Sequence, residues 1–150
     1  MKVLFVCTAN VCRSPLAEGY LASLDSGFEA LSAGVVALEG MSPFECAIET
    51  ARAHGFDISS NRAKQLTLPL AKKADLILCM ETWHVQKIME LDPKLIQKVE
   101  LLGSYLPGRK KLTQISDPRE FTVPETQLAF ARIKKAIDSF LAVKCALPER

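Results

Sequence analysis

With 150 residues, 49% of them hydrophobic and 24% charged, the chain has the composition of an ordinary soluble globular protein and the length for one full core. A net charge of +2 is too small to argue for nucleic acid or an anionic membrane as partner, and no apolar run approaches the roughly 18 residues of a membrane span. The five cysteines are odd in number and lack metal-ligand spacing, and Met1-Lys2 leads straight into an apolar run with no secretory pattern, so a reducing cytoplasm is the expected compartment.

Val3-Leu4-Phe5-Val6 is a short continuous apolar run of the kind that forms a buried parallel strand. After the segment Cys7-Thr8-Ala9-Asn10-Val11-Cys12-Arg13-Ser14, a helix is predicted from Pro15 to about Leu24, with Ser14 as its N-cap and Pro15 at its first position. Phe28 to Ala33 reads as a second strand ended by Gly34. Ser42-Pro43 starts another helix, Phe44 to about His54, with Ala47, Ile48 and Ala51 at helical spacing and Gly55 as its stop. Cys46 and His54 on that helix read as packing or surface residues. A short helix follows Thr67-Leu68-Pro69, and Ala74 to Met80 is a third buried strand. A helix from about Thr82 to Leu91 carries His84, and Lys98 to Leu102 is a short fourth strand. Leu106 to Pro118 is a long loop, and a last helix runs from about Glu125 to Val143. The basic clusters Arg109-Lys110-Lys111 and Arg132-Lys134-Lys135 read as solvated surface. Strands alternating with helices predict a single α/β domain over residues 1–150: a three-layer sandwich with a four-stranded parallel sheet flanked by about five helices.

The segment from Cys7 to Ser14 therefore joins a strand's C-terminal end to a helix N-terminus, which is where open α/β sheets bind ligands and where N–H groups gather an anion. Wrapped with its N–H groups inward, it forms a nest of partial positive charge with Cys7 at the floor. Helix N-termini and neighbouring guanidiniums favour the thiolate form of cysteine. The planar fork of Arg13 suits two oxygens of a phosphate. A thiolate beneath an oxyanion held in this way is an arrangement for phosphoryl transfer through a phosphocysteine. Ser14 is placed to donate to the sulfur, and Asn10 to tie the loop's backbone together. The Cys-x5-Arg spacing alone is a weak signal, because buried cysteine is often only a small hydrophobe; the strand before it and the Ser-Pro after it give it weight. A departing ester oxygen needs a proton, and the two histidines are poor candidates, which leaves a carboxylic acid. Asp92-Pro93, which also reads as a helix stop, and Asp117-Pro118, which sits in the long loop, both qualify, and pattern alone does not choose between them. A Ser-His-Asp hydrolase has no support.

Val3 to Pro15 resembles the signature of the low-molecular-weight protein tyrosine phosphatases. Ser32-Ala33-Gly34, Asp75 to Met80, Glu100 to Tyr105 and Asp117-Pro118 resemble later landmarks of that family in the same order. The resemblance implies Cys7 as nucleophile, Arg13 as oxyanion clamp and Asp117 as general acid. Thr8, Ala9, Asn10, Val11, Cys12 and Ser14 complete the phosphate loop, supported by Ser32 and by Asn61, which stands where many relatives carry His. It also implies a reversible disulfide between Cys7 and Cys12, with a plain buried thiol as the other reading of Cys12. No cofactor or metal is implied. The expected partner is a phosphotyrosine-containing protein, a bacterial tyrosine kinase among the candidates, and the chain is expected as a monomer or weak dimer. Where animal relatives carry aromatic cleft walls, this chain has Arg119-Glu120 and the aliphatic stretch from Val35 to Gly40, so Leu38, Arg119 and Phe121 are the expected cleft residues. Arginine-dephosphorylating relatives tend to carry Thr at the position of Val11, and the apolar side chain favours phosphotyrosine. The alternatives are a protein arginine phosphatase, an arsenate reductase on the same scaffold (which needs a relay of further thiols, with Cys79 as a candidate), and a catalytically dead phosphopeptide-binding module.

Overall fold

The first strand is buried on both sides, and its side chains alternate between the two faces of the sheet. In β1 (Lys2–Cys7), Val3 and Phe5 pack into one apolar cluster while Leu4 and Val6 pack into another. The structure, a computed structural model, describes residues 1–108 and 113–146. The run Arg109-Lys110-Lys111 lies outside them. The remaining elements are α1 (Arg13–Ser23), β2 (Glu29–Gly34), α2 (Glu45–Ala53), α3 (Leu68–Lys73), β3 (Leu76–Cys79), α4 (Thr82–Leu91), β4 (Val99–Leu101) and α5 (Val123–Ala146). Two 3-10 turns, Pro93–Lys98 and Leu102–Tyr105, flank β4.

All pairings in the sheet are parallel, in the order β2-β1-β3-β4. The chain builds outward from β1 to β2, then crosses to the other side for β3 and β4. The C-terminal end of β1 is thus the switch point where a crevice opens in such sheets. One face is covered by α1, α2 and α5 through Leu16, Leu21, Ala47, Phe130, Ile133 and Phe140. The other is covered by α3 and α4 through Ala71 and Ile88. This is the α/β three-layer sandwich expected from the sequence. No described helix is long and apolar enough to cross a membrane.

Two helix starts differ from expectation. The N-cap of α1 is Cys12, and Arg13 is already helical. Ser14 does not cap because its hydroxyl is committed to the loop, as set out below, and Pro15 sits two residues further in than predicted. Likewise α2 is preceded by Phe44 in extended conformation rather than by Ser42. Asp92 does end α4, and its side chain then accepts from Lys94 N–H to start the 3-10 turn that sequence patterning left out. His54 packs against Phe130 with ring centroids 4.6 Å apart, as a packing residue.

Candidate active site

The loop after β1 is held open by its surroundings. Val35 N–H donates to the Cys7 carbonyl at 3.0 Å and Val36 N–H to that of Thr8 at 2.8 Å. Phe44 N–H takes the Val11 carbonyl at 2.9 Å and Leu16 N–H that of Cys12 at 3.1 Å. Asn10 adopts a left-handed conformation, φ 59°, which Asn tolerates better than most residues. With those carbonyls turned to the scaffold, the N–H groups of residues 8–13 donate to no acceptor among the described residues. A run of buried or half-buried donors without acceptors costs stability unless an anion takes them up.

Gly34 makes this wrapping possible. It lies opposite Cys7 in the β1–β2 register, and a Cβ there would stand 2.6 Å from the Thr8 carbonyl oxygen and 2.9 Å from Asn10 N. Both neighbours are backbone, so the loop itself would have to move. Gly34→Ala is expected to cost about 1–3 kcal/mol of stability and to remove most of the rise in melting temperature that inorganic phosphate gives the wild type. Thermal denaturation with and without phosphate measures both.

Beneath the loop, Cys7 Sγ lies 2.8 Å from Ser14 Oγ. That hydroxyl accepts from Asn10 Nδ2 at 2.8 Å, which leaves its own hydrogen for the sulfur. The same Asn10 amide donates to Ser32 Oγ at 2.9 Å, and Asn10 Oδ1 accepts Lys64 N–H at 3.0 Å. Ser32 passes its hydrogen to Glu18 Oε1 at 2.7 Å, which also takes Asn61 Nδ2 at 3.1 Å. Asn61 thus reaches the loop through Glu18, a residue that sequence reasoning did not single out.

Arg13 is fully enclosed, with a side chain 1% exposed. Its Nη1 donates to Glu81 Oε2 and to the Ile115 carbonyl, both at 2.7 Å, and its Nη2 donates to Thr8 Oγ1 at 3.2 Å. The Nε–H has no properly aligned acceptor. Only Asp117 Oδ1 stands against it, at 2.8 Å, as an ion pair. So one edge of the guanidinium keeps donors for an oxyanion, and the Asp117 carboxylate rests where an anion's oxygen would bind. Burial lifts the Asp117 carboxyl above the ordinary carboxylate range; Arg13 opposes this and Glu81 assists it. The side chain still reaches solvent, being 44% exposed.

A recess of about 180 Å³ opens over the loop, lined by Cys7, Thr8, Ala9, Val11, Cys12, Arg13, Phe44, Asp117 and Phe121. The Phe44 and Phe121 rings meet edge to face at 4.8 Å and form its apolar wall. Of the three expected cleft residues, only Phe121 is in this lining. Leu38 is 73% exposed on the β2–α2 connection, and Arg119 is exposed beside Asp117; both lie outside the recess. Phe44 takes the place foreseen for Leu38, because its N–H bond to Val11 draws the start of α2 against the loop. Cys12 is buried, and burial first, then the neighbouring Cys46, Cys7 and Asp117, push its thiol up. Cys79 is wholly buried at the end of β3, and burial pushes it up as well. The five cysteines are all free thiols.

A parallel sheet with an amide cradle, a buried cysteine and an enclosed arginine at its switch point defines a phosphatase of the cysteine-loop kind. The chain belongs to the low molecular weight phosphotyrosine protein phosphatase family, whose model matches residues 2–146. Among its relatives is the low molecular weight protein-tyrosine-phosphatase Wzb of Salmonella typhi, 36% identical over 78% of this chain and 76% of that one. Among solved structures, the low molecular weight protein tyrosine phosphatase of T. tengcongensis superposes with a TM-score of 0.85 at 33% identity, covering 95% of this chain and 99% of that one. The YwlE arginine phosphatase of Geobacillus stearothermophilus superposes at 0.86 with 27% identity over 99% of both chains.

Proposed function

We propose that this chain is a metal-independent protein tyrosine phosphatase that works through a phosphocysteine on Cys7. The observation that carries the reading is the run of unpartnered N–H groups from residue 8 to 13 directly after Cys7, in a recess that Cys7 shares with Arg13, whose Nε–H meets only the Asp117 carboxylate. A phosphoryl group entering the recess displaces the Asp117 carboxylate from Arg13 and brings phosphorus over Sγ. The thiolate forms the S–P bond as the P–O bond to tyrosine breaks, and Asp117 gives its proton to the departing phenolate oxygen. Asp117 then takes a proton from water as that water attacks phosphorus. The S–P bond breaks, inorganic phosphate leaves and the thiolate returns, steadied by the Ser14 hydroxyl. Cys12, five positions on in the same loop, is the partner for a protective disulfide with Cys7.

An aryl ester suits the walls. Phe44 and Phe121 offer ring edges and faces to a phenyl group, and Val11 offers methyls and no hydrogen bond to a guanidino group. Substrates of this kind are phosphotyrosine-containing cytoplasmic proteins, a tyrosine kinase among them. The test is kcat/KM on a phosphotyrosine peptide against the matching phosphoarginine peptide, with chelator present. The expected ratio favours phosphotyrosine by about ten-fold or more, roughly 1.4 kcal/mol of discrimination, and narrows in Val11→Thr. The reverse ratio assigns the chain to arginine dephosphorylation. Arsenate-dependent thiol consumption without ester turnover sinks both.

A further inference from the structure

His84 takes no part in the steps above, yet it is wholly buried and commits both ring nitrogens to the loop's surroundings. It sits in the first turn of α4, so it approaches from β3's side of the switch point, 76 residues away in sequence from the group it touches. Its Nδ1 accepts Glu81 N–H at 3.0 Å. A nitrogen that accepts carries no proton, so the neutral ring holds its hydrogen on Nε2. That hydrogen is directed at Thr8 Oγ1, 3.0 Å away. The same oxygen accepts Arg13 Nη2–H at 3.2 Å, and Arg13 Nη1 is tethered to Glu81 Oε2 at 2.7 Å. The charged groups facing the imidazole are therefore Arg13 and Glu81, with Nε2 3.8 Å from the Glu81 carboxylate. Burial first, and then Arg13, keep the ring neutral, against the pull of Glu81.

The ring of contacts is closed. Glu81 holds the imidazole and one end of the guanidinium; the imidazole holds Thr8; Thr8 holds the other end of the guanidinium. A guanidinium fixed at Nη1 and Nη2 has no rotation left, and its Nε–H is held against Asp117, which lines the recess. We propose that His84, as its Nε2–H tautomer, is a positioning residue for Arg13, acting through the Thr8 hydroxyl. The proposal rests on the reading of the Cys7 loop as an oxyanion site.

Its test is calorimetric binding of inorganic phosphate, which reads the cradle without requiring turnover. His84→Asn keeps an acceptor for Glu81 N–H but does not reach Thr8. Thr8→Val removes the hydroxyl at nearly constant shape, and Thr8→Ser restores it. Asn at 84 and Val at 8 are each expected to weaken phosphate binding about ten-fold, as for one hydrogen bond to a charged group, while Ser at 8 binds like the wild type. The double variant is expected to be no weaker than either single one, because both cut the same link. In ester turnover the loss falls on KM more than on kcat. Wild-type phosphate affinity in folded His84→Asn, or two losses that multiply in the double variant, overturns the proposal. Should His84→Asn fail to fold, equal affinities for Thr8→Val and Thr8→Ser overturn it by themselves. A wild-type protein that binds phosphate but hydrolyses no ester removes the phosphatase reading, while the titration still decides this one.

Discussion

Cys7→Ser is expected to fold as the wild type does, to bind inorganic phosphate, and to lose aryl phosphate hydrolysis by on the order of 10⁴-fold or more. The reasoning is geometric. The sulfur lies under the cradle rather than in it, so replacing one atom leaves the N–H groups, Arg13 and the Ser14–Asn10 pair where they are. What changes is the nucleophile, since an alcohol is scarcely ionised at neutral pH and Ser14 is not a base strong enough to ionise it. Rates on a chromogenic aryl phosphate, circular dichroism and a phosphate titration together check this. Wild-type enzyme quenched during turnover should carry acid-labile phosphate on Cys7. Turnover that survives in the variant within a factor of about ten would place the nucleophile elsewhere.

Asp117→Asn is expected to lower kcat by roughly 10²–10⁴-fold and, at the same time, to bind phosphate more tightly. The two effects have separate causes in one carboxyl. As an acid, Asp117 acts while protonated, so wild-type turnover declines as pH rises through its titration. Burial raises that pKa above the ordinary carboxylate range, which carries the active window upward in pH. The amide cannot titrate, so the alkaline limb of the kcat profile should vanish in the variant. As an anion, Asp117 competes with the ligand for Arg13 Nε–H, and the amide removes that competitor. A pH profile of kcat and a phosphate inhibition constant for both proteins measure the two effects. An unchanged alkaline limb would assign the acid to another group, with Glu81, the other carboxylate paired to Arg13, the first to examine.

Much of this was legible in the letters because it is local. A continuous apolar run fixes β1 as a buried strand, and the Cys7–Ser14 segment between strand and helix is contiguous, so the loop could be read before any coordinate. The Asp92 stop and the Thr67 start of α3 are equally local, and both stand. Ser14 was misread as a cap for the opposite reason: Asn10 and Cys7 compete for its hydroxyl, and the winner depends on how the loop folds back. Glu81 and His84 gave little signal, because their value comes from Arg13 and Thr8 lying across the β1–β3 pairing, far away in sequence. An acid immediately beyond a strand that shares the loop's rim is the clue that would have found Glu81. Phe44 was hidden among helix-forming residues, and only its backbone bond to Val11 makes it a wall of the recess.

The position of β1 between β2 and β3 has a wider consequence. Cys7, the nucleophile of the proposed reaction, is the last residue of the strand that both halves of the sheet share, so slackness in either neighbour travels to it. Substitutions deep in β2 or β3, at Ala33 or Leu78 for example, would register as slow catalysis before they register as unfolding. A variant library sorted for turnover and one sorted for melting temperature are therefore expected to single out overlapping sets of side chains.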